Sequence, residues 1–78
     1  MSADIEEKVF NAFKESLELK DGVDRSALEY NVTKGWDSVG HMSLIANLEE
    51  VFDCMLETDH ILDMSTFGKA VEIMSEYS

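Results

Sequence analysis

No proline occurs among the 78 residues, although average usage of about 5% would place roughly four in a chain of this length. Helices are the elements that such a composition leaves open. The single cysteine, Cys54, excludes an internal disulfide, so a domain this small has to be held by packing alone, as suits a reducing, cytoplasmic setting. Cations are scarce: six Lys and Arg against 17 Asp and Glu leave a net charge of −11. That balance repels a phosphate backbone, so nucleic acid and anionic membrane surfaces are not expected partners. There is no apolar run of the roughly 18 residues that a membrane span needs, and Met1-Ser2-Ala3-Asp4 lacks the basic and apolar regions of a signal peptide.

What the chain does have is 45% apolar residues with seven aromatics, enough for one small core and too much for an acidic disordered tail. A single domain over residues 1–78 is expected, and a multidomain enzyme is not. Ile5, Val9, Phe13 and Leu17 recur every four positions, with Phe10 and Ala12 widening the stripe, which predicts an amphipathic helix from Asp4 to Leu19. Ser2 or Asp4 is placed to cap its start, and Lys20-Asp21-Gly22 to stop it. From Lys20 to Asp37 turn formers surround the isolated apolar residues Val23, Leu28 and Val32, which predicts a long connection pinned by those three. A loop of that length in so small a domain is functional or hides a short turn of helix.

Leu44, Ile45, Leu48 and Phe52 predict a second helix from Asp37 to about Phe52. Thr58 or Asp59 is placed to cap a short helix through Met64. Ser65 or Thr66 is placed to cap a last one in which Phe67, Ala70, Val71 and Met74 share a side. No segment alternates at period two for more than a few residues. The predicted fold is all-α, a small four-helix bundle of three main helices and one short helix, with a long loop between the first two.

The stretch Gly35-Trp36-Asp37-Ser38-Val39-Gly40-His41-Met42-Ser43-Leu44-Ile45 puts a primary hydroxyl, Ser38, where a glycine-containing loop meets a helix start. Free N–H groups and the helix dipole favour an anion such as a phosphate ester there. A plain N-cap role for Asp37 or Ser38 is the competing reading of the same dipeptide.

Five further matches stand in register with that junction: Ile5-Glu6-Glu7-Lys8-Val9 in the opening helix, Leu28 in the long loop, Leu44-Ile45 and Leu48-Glu49-Glu50-Val51-Phe52 in the second helix, and Thr66-Phe67-Gly68-Lys69-Ala70-Val71 opening the last. Together with Asp37-Ser38-Val39 they make the chain resemble, over essentially its whole length, the acyl and peptidyl carrier protein family. The resemblance implies that a phosphopantetheinyl transferase attaches 4′-phosphopantetheine, taken from coenzyme A, to Ser38. Acyl or aminoacyl groups would then travel as thioesters on that arm between loading enzymes and downstream synthases or transferases, with no catalysis by the carrier. Asp37 would serve transferase recognition, and Val39, Met42 and Ala46 would face partner enzymes. Glu49, Glu50 and Asp53 would form an acidic surface for basic docking patches, joined downstream by Glu57, Asp59 and Asp63. A cytoplasmic monomer is expected, with a flexible loop ahead of Ser38 and a bundle loose enough to admit an acyl tail.

Charge distribution agrees with a docking role, because residues 35–68 hold seven acids and no Lys or Arg, whereas a helix built for solubility mixes signs. For Val39 and Met42, the edge of a wide core stripe is an equal alternative. Cys54 is expected to be an ordinary small residue, buried or half-buried, since a side chain that short lacks the reach of a carrying thiol. Gly40 and His41 depart from the fatty-acid members, in which an acidic residue usually follows the apolar one after the serine, and Trp36 replaces a small residue. A carrier for a specialised pathway is expected, with Trp36 and His41 flanking the arm. Glycine inside a helix costs up to about 1 kcal/mol, so its first turn is either loose or closely approached by another backbone.

Other chemistries fit less well. Ser38, His41 and Asp37 cannot form a hydrolase triad, because the adjacent Asp37 points away from the far imidazole nitrogen. His41, Cys54 and His60 lack paired metal-ligand spacing, and the two histidines read as solvent-exposed. The rival from another class is an acidic helical adaptor with no prosthetic group, binding a basic or amphipathic helix through Met42, Met55, Met64 and Met74.

Overall fold

The computed structural model describes residues 2–20 and 22–77, with side chains from residue 4 onward. Among these residues the fold is an all-α bundle: α1 spans Ser2–Leu17, α2 Ser38–Phe52, α3 Thr58–Asp63 and α4 Phe67–Ser75, and a 3₁₀ turn lies at Arg25–Ala27 in the long connection. None of these helices is long and apolar enough to cross a membrane.

The apolar stripe of α1 buries Val9, Phe10, Ala12, Phe13 and Leu17 against α2 and α4. From α2 come Leu44, Ile45 and Leu48, and from α4 Phe67, Ala70, Ile73 and Met74, while Val71 is only half-buried. Edge-to-face contacts run through the centre, from Phe10 to Phe67 at 6.0 Å, from Phe67 to Phe13 at 5.3 Å, and from Phe13 to Trp36 at 4.9 Å. A polar strut crosses between helices, Asn47 Nδ2 donating to Ser16 Oγ at 2.5 Å.

α1 ends two residues before the expected Leu19. Glu18 takes the left-handed conformation at φ 55°, and Leu19 N–H bonds back to Lys14 C=O at 3.1 Å, which closes the helix before Gly22 is reached. The side chain of Ser2 and the residue Asp21, named as cap and stop, lie outside the described residues. α2 ends the same way, with Asp53 at φ 51° and Cys54 N–H on Glu49 C=O at 3.1 Å. Thr66 caps α4 by accepting from Lys69 N–H at 3.1 Å. For α3 neither Thr58 nor Asp59 is the cap: Glu57 holds that position and makes no side-chain capping bond.

The long connection hides a short helical turn, Arg25–Ala27, capped by Asp24. Its anchors differ from the expected set. Leu28 is buried and Val23 half-buried, but Val32 is 71% exposed, and its place is taken by Trp36 with no exposed surface. A β-bridge between Glu29 and Thr66 ties the loop to the start of α4, through Tyr30 N–H to Ser65 C=O at 2.8 Å and Phe67 N–H to Leu28 C=O at 3.3 Å. Arg25 lies over the Phe10 ring at 3.9 Å and reaches Glu7 at 2.8 Å and Glu6 at 3.1 Å, clamping the turn onto α1.

Candidate functional site

The loop before Ser38 is built around Trp36, whose backbone N–H donates to Thr33 C=O at 3.0 Å and whose carbonyl accepts Asn31 N–H at 2.7 Å. Gly35 follows the turn at φ 89°, a conformation that favours glycine. Its carbonyl lies against Gly40 in the first turn of α2 so closely that a Cβ at Gly40 would overlap it, with Leu17 Cδ2 only 3.1 Å from the same point. Of the two alternatives for Gly40, close approach by another backbone is the one realised. The two backbone bonds of Trp36 tie residues 31–36 of the loop ahead of Ser38 to one another.

Asp37 is the N-cap of α2, its Oδ1 accepting from Val39 N–H at 3.1 Å and Gly40 N–H at 2.9 Å. Ser38 is the first helical residue, exposed, and its hydroxyl has no hydrogen-bond partner among the described residues. The cap duty therefore falls to Asp37 and leaves the Ser38 hydroxyl exposed at the start of α2.

The outward face of α2 holds Val39 at 76% exposed, Met42 at 62% exposed, and an exposed Ala46. These residues are not the edge of the core stripe. The core face is Leu44, Ile45 and Leu48. Met55 and Leu62 add exposed apolar surface, whereas Met64 and Met74 are buried, so two of the four methionines named for an adaptor surface belong to the core. Glu50, Asp53, Glu57 and Asp59 are exposed acids. Glu49 is half-buried, and its Oε2 accepts Leu56 N–H at 2.9 Å, which gives it a structural duty as well. Asp63, also exposed, lies 3.5 Å from the Lys69 ammonium.

His41 and Trp36 do not stand free at the surface. The indole N–H of Trp36, a group that only donates, bonds to His41 Nδ1 at 2.9 Å. His41 Nδ1 is therefore the unprotonated nitrogen, and Nε2–H donates to the carbonyl of Ile61 in α3 at 2.8 Å. Trp36 is wholly buried and cannot flank an arm, and His41 is half-buried. His60 is not a free surface histidine either, since its Nδ1 meets the Tyr77 hydroxyl at 2.6 Å. The same hydroxyl accepts Glu57 N–H at 3.1 Å. Both histidines thus fasten α3, which has no fully buried side chain of its own. Spacing along the chain carries no mark of either fastening, because the partners lie 17 and 20 residues away.

Cys54 is half-buried, with its thiol pushed up from the ordinary value by burial first, then by the charges of Glu49 and Asp53. Such a thiol is a poor nucleophile at neutral pH. Among the described residues no group of three or more His, Cys, Asp and Glu could hold a metal ion.

No protein-family model matches this chain, and no solved structure matches it.

Proposed function

We propose that the protein is a non-catalytic carrier that holds acyl or aminoacyl intermediates as thioesters on a 4′-phosphopantetheine arm attached to Ser38. The observation that carries this reading is the division of labour at the start of α2. Asp37 caps the helix, and the Ser38 hydroxyl is left exposed and unpartnered beside an apolar outward face. Loading by a phosphopantetheinyl transferase forms a bond from Ser38 Oγ to the phosphorus bearing pantetheine. It breaks the pyrophosphate bond of coenzyme A, releases adenosine 3′,5′-bisphosphate and gives the hydroxyl proton to solvent. The arm supplies the thiol and its reach, and Cys54, with its raised thiol, has no part in it.

Val39, Met42 and Ala46, bordered by Glu50 and Asp53, form the surface that loading enzymes and downstream synthases or transferases meet in this reading, through basic patches and with an association that weakens as salt rises. The single cysteine and the absence of an internal disulfide agree with work in the cytoplasm. Co-expression with a promiscuous phosphopantetheinyl transferase followed by intact mass measurement is the test. A carrier gains one phosphopantetheine, and Ser38→Ala abolishes the gain. An unmodified wild-type chain would favour a prosthetic-group-free adaptor using Met42 and Met55.

A further inference from the structure

We propose that the groove between the end of α1 and the loop ahead of α2 binds a small amphiphile of the fatty carboxylate class, an aliphatic body with one anionic headgroup; this site does not depend on the carrier reading. The groove is half-open and holds about 840 Å³. Its walls come from two short segments of the chain, the end of α1 with the residues after it and Lys34-Gly35. Leu17 is buried and Leu19 and Val23 are half-buried, and these three give the groove its aliphatic side. At Gly22 a Cβ would meet nothing within 4 Å, so no neighbouring side chain closes the space there.

The cations of the chain point to the occupant. Four of the six are engaged. Lys8 lies over the Phe52 ring and Lys14 over that of Phe10, while Arg25 pairs with Glu6 and Glu7 and Lys69 with Asp63 and Glu72. Lys20 and Lys34 are the two with no ion pair, hydrogen bond or ring contact among the described residues, and both line this groove. Glu18 is the one acid among the described lining residues, and Asp21 lies outside the described residues. A carboxylate headgroup would give the two ammonium groups the charge-assisted partners they lack, and the aliphatic side would take the body. Size favours a small molecule over a protein. The volume falls within the roughly 300–1,000 Å³ of small-molecule sites, whereas a protein partner engages about 20–30 residues on each side, far more than two short segments offer.

Octanoate is the probe, titrated by NMR into the chain with Ser38 unmodified, as verified by intact mass. It is expected to move the amides of Leu19, Val23, Lys34 and Gly35 along a saturable curve with a Kd of about 1 mM or below. Acetate keeps the headgroup without the body and is expected to bind there at least about tenfold more weakly. Octyltrimethylammonium keeps the body and reverses the charge, and at the same amides it is expected to be at least about fivefold weaker than octanoate. Lys20→Gln and Lys34→Gln change exposed side chains and should leave the fold unaltered, each weakening octanoate by about two- to fivefold. Groove amides that octanoate leaves in place overturn the proposal. So does octyltrimethylammonium that binds them as tightly as octanoate, which would mean that Glu18 and its neighbours outweigh the lysines, and so do lysine variants that bind octanoate like the parent. Loading of Ser38 is scored separately by mass, so the failure of either reading leaves the other standing.

Discussion

Gly40 in the first turn of α2 and Gly35 in the loop ahead of it are in backbone contact, with no room for a Cβ between the Gly40 Cα and the Gly35 carbonyl oxygen. On an exposed helix the change Gly→Ala gains about 1 kcal/mol. Here Gly40→Ala is expected to lose about 1–3 kcal/mol in urea denaturation, because the added methyl has to displace backbone. A stabilised Gly40→Ala protein would show that the contact does not exist.

Two helices end on an acidic residue in the left-handed region, Glu18 at φ 55° and Asp53 at φ 51°. The conformation costs a side-chain-bearing residue about 1–2 kcal/mol, less for Asp than for Glu. Glu18→Gly is therefore expected to stabilise the protein by about 0.5–1 kcal/mol, which raises the melting temperature by several degrees in a domain of this size. Asp53→Gly should gain less. Thermal unfolding of the two variants side by side checks both sign and order.

Burial, Glu49 and Asp53 raise the Cys54 thiol. Iodoacetamide labelling of the folded protein should accelerate only at pH values above those at which the urea-unfolded chain already reacts. The sign for stability follows: a thiol raised on folding contributes fully below its unfolded value, and that contribution is lost as pH rises through the folded one. Asp53→Asn should bring the folded labelling profile down. Coincident folded and unfolded profiles would rule the effect out.

The Tyr77 hydroxyl bridges Glu57 N–H and His60 Nδ1 at the start of α3. Tyr77→Phe removes both bonds and keeps the ring, at an expected cost of about 0.5–1.5 kcal/mol. Amide exchange should quicken across residues 57–63 and stay unchanged in the core of α1. Equal quickening in both places would mean that Tyr77 supports the whole bundle and not α3 in particular.

Periodicity exposed the core of α1, α2 and α4 because an amphipathic stripe is a local pattern: Val9, Phe13 and Leu17, or Leu44, Ile45 and Leu48, are close both in sequence and in space. Ser38 and Asp37 were legible for a similar reason, since capping is decided within four residues. Trp36 was misplaced because an isolated aromatic in a loop has no period, and only the fold shows that Phe13 and Tyr30 surround it. Val32 failed as an anchor for the same reason. The α3 fastenings depend on contacts between distant residues, so neither histidine could be assigned from its neighbours. Gly40 was legible as an anomaly, and its cause required the position of Gly35.

On the carrier reading, the cap at Asp37 would make one position in this chain answer to two demands that alleles can separate. The helix needs an acceptor there, for the N–H groups of Val39 and Gly40, and asparagine meets that need about as well as aspartate. A transferase, on the reading proposed here, needs the charge. Asp37→Asn is therefore expected to leave folding intact while lowering loading of Ser38, as read by intact mass after transferase treatment, whereas Asp37→Ala is expected to lose about 1 kcal/mol of cap and to confound the two. A screen that scores only alanine variants would mistake an address for a foundation.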